Sequence, residues 1–461
     1  MIIAIASGKG GTGKTTLAVN LAAALSRSED IDVPVRLLDC DVEEPNDHLF
    51  VRPTFSRVEP VEVLKPEWNE ELCTGCGECA RACQSNAIAV VKGKVLIFPE
   101  LCHACGVCSF ICPEGAITER SVAIGRVELD EERADFAFGH SVLNIGEALA
   151  PKIVQEVKKH AEPDGITIID ASPGTACPVV EAVNGADVAL MVTEPTPFGL
   201  NDLKLALGLS LTLGVPTAII VNRSDGTDTL IQDYADMTGV PVIGRIPFKR
   251  EYAETYSRGD LLLDRHPELR PILLDIYERV CEVAAGPPQP VPEEEAMAPV
   301  GPPGQPSSGL SGSYREVTVI SGKGGTGKTT VTASLAALLD GKLLADCDVD
   351  AADLHLLLNP EIKEVEDFVG GQKATIAPDA CTACGRCAEM CHFDAIEPGE
   401  FDEEGEPVSY RINEFACEGC GLCGYVCPVD AVDISEAVTG QSFVSETECG
   451  SLAHARLGIA E

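Results

Sequence analysis

The 461-residue chain is too long for one ordinary core and implies two to four domains. Its net charge of −39 argues against nucleic acid or an anionic membrane surface as the main partner, since either would repel it within a Debye length. The amino terminus "MIIAIASGKGG" lacks a basic leader, and the longest apolar stretch, "LKLALGLSLTLGVPTAIIV", contains Lys204 and Pro216 and reads as helix plus strand. The expectation is a cytoplasmic protein with no membrane span, whose 21 cysteines stay reduced and ligate metal.

In chain order, "IIAIA" reads as a buried strand running into "SGKGGTGKTT" at Ser7–Thr16. The apolar "TTLAVNLAAAL" then reads as a helix, and "VRLLDCD" as a strand ending on Asp39, Cys40 and Asp41. A cysteine-rich block follows. Beyond it "GITIID", "VALMVTE" and "PTAIIVN" read as strands alternating with the helices "CPVVEAVNGA" and "DLKLALGLSLTLG", which argues for a parallel sheet covered on both faces. Residues 286–313 are rich in Pro, Gly and Ser and read as a linker. After it the same events recur: "VTVI" as strand, the same loop at Ser321–Thr330, "TTVTASLAAL" as helix, "KLLADCD" as strand, and a second cysteine block. The closing "HARLGIAE" matches "HSVLNIGE" at His140–Glu147, so the second half is expected to be an incomplete copy.

Both loops fit the phosphate-loop pattern, with a strand before and a helix after. Gly8, Gly10, Gly11, Thr12 and Gly13, and in the second copy Gly322, Gly324, Gly325, Thr326 and Gly327, let backbone N–H groups curl round an anion. The helix starts at Thr16 and Thr330 add positive potential. Lys14 and Lys328 neutralise the outer phosphates, and Thr15 and Thr329 offer hydroxyls to Mg²⁺.

With Lys9 and Lys323 inside the loops, Lys-Gly-Gly-x-Gly-Lys-Thr resembles the deviant-Walker ATPases that include MinD, ParA and the nitrogenase iron protein. The resemblance implies ATP and Mg²⁺ as ligands and face-to-face pairing, between the halves or in a homodimer, with Lys9 and Lys323 crossing to the partner's nucleotide. It implies that Asp41 and Asp348 orient the attacking water while Asp39 and Asp346 act on the metal through its water shell. "IIDASPG" resembles the family's switch II, giving Asp170 a place in the metal's outer shell and Gly174 an N–H that senses the γ-phosphate. "VNRSD" resembles its base-contact element, with Asn222.

The cysteines follow the spacing of two-cluster bacterial ferredoxins, where three cysteines of one run and the fourth of the other hold each [4Fe-4S] cluster. The first module assigns Cys73, Cys76, Cys79 and Cys112 to one cluster and Cys102, Cys105, Cys108 and Cys83 to its neighbour. The second assigns Cys381, Cys384, Cys387 and Cys427, then Cys417, Cys420, Cys423 and Cys391, making four clusters. Zinc, which wants paired Cys-x2-Cys steps, fits poorly. The proline after the fourth cysteine is present at Pro113 and Pro428 and replaced at Gln84 and His392. Cys40, Cys177 and Cys347 are expected to be small buried residues, and Cys281 and Cys449 ordinary ones.

The expected fold is α/β: a P-loop NTPase with a mostly parallel sheet covered by helices, carrying inserted α+β ferredoxin domains. Residues 1–64 with 123–285 form the first ATPase domain and 65–122 its ferredoxin insert; 314–372 with 436–461 form the second ATPase domain and 373–435 its insert. The insert follows Asp41 in the segment that resembles switch I, so nucleotide state should move the clusters. The chain looks like a MinD-superfamily ATPase with inserted ferredoxin domains. That implies ATP-dependent electron transfer, with cluster delivery of Mrp type as the alternative and a redox or iron-sulfur acceptor protein as partner.

Overall fold

The computed structural model describes residues 1–133, 135–291, 315–321, 326–349 and 352–458. The linker beyond 291 and Gly322, Lys323, Gly324 and Gly325 therefore lie outside the described residues. The chain enters through β1 (Ile2–Ala6), the loop and the helix Lys14–Ser26, and returns as β2 (Val35–Cys40). β3 (Arg57–Trp68) leads out to the first cysteine module, which holds the hairpin β4 (Ile88–Val91) and β5 (Lys94–Ile97), and β6 (Ile117–Asp130) leads back. β7 (Ala137–Leu143), β8 (Ile166–Ala171), β9 (Val188–Thr193), β10 (Thr217–Ser224) and β11 (Val242–Pro247) complete a sheet of order β11-β10-β9-β1-β8-β2-β7-β6-β3.

β1 sits at the centre because both its faces are apolar. Ile3 and Ile5 enter one core cluster and Ala4 and Ala6 the other, the alternation of a strand covered on both sides. The helix Lys14–Ser26 is buried almost without a break from Leu17 to Leu25. Pairing is parallel from β11 through β7; β6 and β3 add antiparallel at the far edge. β3 contains Pro60 and Pro66, which cannot donate to a ladder, and its edge position tolerates them. The β3–β6 ribbon pairs from Arg57 opposite Leu129 to Trp68 opposite Ile117, with one register shift between Val61 and Glu62, and runs past residues 64/65 and 122/123. The cysteine module is thus mounted on the outer strands of the nucleotide sheet itself.

In the second half β12 (Leu343–Asp346), β13 (Glu361–Ile376), the hairpin β14 (Ile396–Pro398) with β15 (Tyr410–Ile412), β16 (Val432–Thr447) and β17 (Gly450–Leu457) appear in turn. Their sheet order, β12-β17-β16-β13, repeats β2-β7-β6-β3. The register repeats too: Asp346 lies opposite His454 as Asp39 lies opposite His140. One expected strand does not form. "VTVI" carries no strand, and Val317 and Ile320 are 72% and 83% exposed, because no described strand lies beside them as β8 and β9 lie beside β1. Cys347, expected to be buried, is exposed for the same reason: among the described residues the second sheet lacks the covering that buries Cys40. No helix among the described residues is long and apolar enough to cross a membrane.

Candidate nucleotide and cluster sites

The carboxyl ends of β1, β2, β8 and β10 surround a cavity of about 630 Å³, the place where open α/β sheets bind ligands. Gly10, Gly11, Gly13, Lys14, Thr15 and Thr16 form one wall. Gly13 has φ +99°, and a Cβ there would fall 2.1 Å from Asn222 Nδ2, so the position demands glycine twice over. Asn222 donates from that nitrogen to the Thr12 carbonyl at 2.6 Å, tying β10 to the loop. Gly8 is required by close approach, its Cβ position lying 2.0 Å from the Asp202 carbonyl oxygen. Lys14 is buried and donates to Ser7 Oγ at 3.1 Å.

Acids converge below the loop. Thr15 Oγ1 donates to Asp170 Oδ2 at 2.6 Å. Asp39, fully buried, accepts from the backbone N–H of Asp41 (3.1 Å), Asn46 (3.0 Å) and Asp47 (3.1 Å). Burial, then the charges of Asp170 and Asp41, hold its carboxyl well above the usual range. Asp47, also fully buried, is held up by burial and by Asp39 and Asp170. Ligand oxygens of Asp39, Asp47 and Asp170 lie within 4.8 Å of one another, a set suited to a divalent cation or its water shell. Asp41 faces the cavity and its Oδ1 accepts from Ser172 Oγ at 3.3 Å. The Gly174 N–H donates to the Ser7 carbonyl at 3.0 Å, a bond that γ-phosphate sensing would have to exchange.

Lys9 pairs with the second half's buried Asp353, whose other oxygen lies 3.5 Å from Asn201 Nδ2. Beside them burial and Asp353 push Asp202 up to about 7, opposed by Lys9. Lys9, expected to cross to a partner's nucleotide, here meets an aspartate of the second half. In the second loop Gly327 has φ +100°, as Gly13 does, and begins the helix Lys328–Leu338, whose first turn carries Thr329 and Thr330. Thr326 precedes it. Lys328 Nζ lies 3.4 Å from Asp348 Oδ2, and Asp346 accepts from the backbone N–H of Asp348 (3.2 Å) and Leu354 (3.0 Å).

The cysteines gather in sets of four. One cavity is lined by Cys73, Cys76, Cys79 and Cys112, a second by Cys381, Cys384, Cys387 and Cys427, and a third by Cys391, Cys417, Cys420 and Cys423. In the remaining set Cys83 and Cys108 pack against the same apolar cluster as Cys79, and burial first, then the charges of Cys105, Cys102 and Cys83, push the Cys108 thiol up to about 12. Backbone N–H groups aim at sulfur: Gly75 to Cys73 (3.4 Å), Ala87 to Cys83 (3.2 Å), Ala104 to Cys102 (3.4 Å), Ala383 to Cys381 (3.4 Å) and Ala431 to Cys427 (3.2 Å). Four sulfurs round a small cavity with N–H donors behind them fit the cubane and its charge.

Residues 3–263 match the CobQ/CobB/MinD/ParA nucleotide binding domain, more than half of the chain. The chain belongs to that family. Residues 361–431 match the 4Fe-4S dicluster domain. An uncharacterised protein of Methanocaldococcus jannaschii is 32% identical over 288 residues, covering 60% of this chain and 96% of the relative. An iron-sulfur cluster carrier protein of Aquifex aeolicus is 24% identical over 282 residues, covering 58% and 63% respectively. The cell division ATPase MinD of Pyrococcus furiosus aligns with a TM-score of 0.38 and 19% identity over 61% of this chain and 98% of that one.

Within this CobQ/CobB/MinD/ParA domain the sequence reading missed Asp47, Arg223 and Phe248. Arg223 and Phe248 line the cavity next to Asn222, and Arg223 Nη2 donates to the Gly11 carbonyl at 3.3 Å. Arg223 had a signal, adjacency to Asn222 in "VNRSD". Asp47 had another: it is an acid eight residues after Asp39, where the second copy has Leu354 eight residues after Asp346.

Proposed function

We propose that the protein binds and hydrolyses ATP and couples nucleotide state to electron transfer through four [4Fe-4S] clusters, one per cysteine set. The observation that carries the reading is a shared wall. Glu43, Ala176 and Pro178 line the nucleotide cavity and also a second cavity of about 490 Å³ that reaches His103, His392 and Glu418, each adjoining a cluster cysteine. Ala176 and Pro178 open the helix Cys177–Val183 that follows the segment resembling switch II, so movement there is felt at both ends.

In this reading the loop N–H groups and Lys14 hold the phosphates, and Thr15 with Asp39, Asp47 and Asp170 holds Mg²⁺ and its waters. Asp41, steadied by Ser172, accepts a hydrogen bond from the attacking water; positioning of this kind is most of what phosphoryl transfer needs. Mg²⁺ supplies charge neutralisation and the clusters supply one-electron capacity. Backbone N–H groups and burial keep the cysteine sulfurs in their ligating geometry. Lys328 and Asp348 are the second half's counterparts of Lys14 and Asp41, in a copy where Leu354 replaces Asp47 and no described strand matches those carrying Asp170 and Asn222.

A second reading, cluster delivery, is favoured by the likeness to the Aquifex aeolicus iron-sulfur cluster carrier protein and by the exposure of Cys76 and Cys384, where a cluster could be handed over. Anaerobic incubation of the loaded protein, reduced with dithionite and freed of the excess, with an apo-ferredoxin and with an oxidised one-electron acceptor, each with and without MgATP, separates them. Acceptor reduction with iron retained supports electron transfer. Iron transferred to the apo-ferredoxin without acceptor reduction refutes it in favour of delivery.

A further inference from the structure

We propose that the two cysteine modules dock about a local two-fold axis that sets their inner ligand sets face to face, making one electron path with two solvent-facing ends. The proposal rests on the cluster-binding part of the reading above and is independent of nucleotide coupling. Counting from the cysteines, Ala82 corresponds to Met390, Cys105 to Cys420, Val107 to Leu422 and Ile111 to Val426. All eight residues form one apolar cluster. An interface in which each residue meets the neighbourhood of its own counterpart is the signature of two-fold pairing.

Ligands and polar contacts obey the same axis. Cys105 and Cys420, equivalent ligands of the two inner sets, pack against the same apolar cluster across the seam. His103 and Glu418, each directly after the first cysteine of its run, lie with Nδ1 and Oε2 3.0 Å apart. Here the axis is broken usefully: like residues opposite each other would repel, whereas His opposite Glu selects the pairing of unlike modules. His392, standing where a ferredoxin has proline, donates from Nδ1 to the Ala104 carbonyl at 2.7 Å, and a Cβ on Gly106 would fall 2.9 Å from its ring. The backbones are thus in close contact at the inner sets.

The outer sets face the other way. Cys76 and Cys384, equivalent ligands, are exposed, whereas Cys102, Cys105, Cys108, Cys417, Cys420 and Cys423 are buried or half-buried. Electron tunnelling falls off exponentially with distance, so contact at the seam is what joins two short relays into one. A low-potential one-electron donor protein is oxidised by one electron at one exposed end, and a one-electron acceptor is reduced by one at the other. No bond forms or breaks in the chain and no proton is consumed.

The test uses the anaerobically loaded full chain reduced with dithionite. EPR of the intact chain should show spin interaction beyond that within each module. His103→Glu, which sets two carboxylates against each other at the seam, should abolish the extra interaction with iron content unchanged, and adding Glu418→His should restore it. A readout independent of spin is carbodiimide coupling in His103→Lys: the new amine and the Glu418 carboxylate condense with loss of water into a linked peptide pair, which Glu418→Gln removes. Identical spectra for the intact chain and His103→Glu at full iron content, with no linked pair, would overturn the docking and leave the functional reading standing. Iron content short of all four sets would overturn the four-cluster reading and this path with it.

Discussion

Replacing Asp47 by Leu, the residue at the equivalent place in the second half, should stabilise the nucleotide domain, and the gain should grow with pH. Asp47 is fully buried, and among the described residues no nitrogen or hydroxyl donor reaches either of its oxygens; the group it faces is the carboxyl of Asp170. Burial first, then the charges of Asp39 and Asp170, raise its pKa in the folded state. A raised carboxyl pKa means that the folded chain binds more protons than the unfolded one, so stability is lost as pH rises above the unfolded value of about 4. Leu removes that loss. An unsatisfied buried polar group costs about 1–3 kcal/mol, and a domain of this size gains about 2–4 °C in Tm per kcal/mol, so the expected rise at pH 8 is about 2–12 °C, shrinking towards pH 5. The assay is thermal unfolding without nucleotide or Mg²⁺, followed in the loaded protein at both pH values. A fall in Tm at pH 8, or a gain that does not depend on pH, would refute the reasoning. The same variant should bind Mg²⁺ with nucleotide more weakly, because in the proposed reading Asp47 is one of the acids that hold the cation and its waters.

If Lys14 holds phosphate as proposed, Lys14→Ala removes a charge-assisted contact worth about 1.5–3 kcal/mol, so ATP affinity should fall about 10- to 100-fold in a fluorescent-nucleotide titration. Asn222→Ala loses only the neutral 2.6 Å bond to the Thr12 carbonyl and should weaken binding about 2- to 10-fold in the same titration. Asp353→Asn leaves Lys9 without its buried counter-charge, between the extremes of surface and interior pairs, and should destabilise the docked segment 352–358 by about 1–3 kcal/mol. Hydrogen exchange of that segment reports it; unchanged protection would contradict the contact.

The parallel sheet and the ligand sets were legible because their signals are local. A glycine-rich loop between an apolar strand and an apolar helix, and three Cys-x2-Cys steps, each specify geometry within a dozen residues. The matching of "HARLGIAE" to "HSVLNIGE" was also legible, and β17 repeats the register of β7 at the equivalent histidines. The helix written as "DLKLALGLSLTLG" starts earlier, at Pro197, because Thr196 caps it by accepting from the Gly199 N–H at 3.0 Å. What was not legible depended on neighbours. "VTVI" has strand composition and no partner. β3 hides its role behind two prolines that only an edge position permits. Ala82, Val107 and Ile111 read as filling around cysteines, and only the placement of the second module turns them into a seam.

The central claim, that nucleotide state reaches the clusters, is tested most directly by redox titration of the loaded protein with no nucleotide, with MgADP and with MgATP, followed by EPR. The account predicts that MgATP shifts the midpoint potential of at least one cluster at constant iron content, and that Lys14→Ala abolishes the shift. Midpoints that coincide in all three states, with ATP shown to be bound, would contradict it.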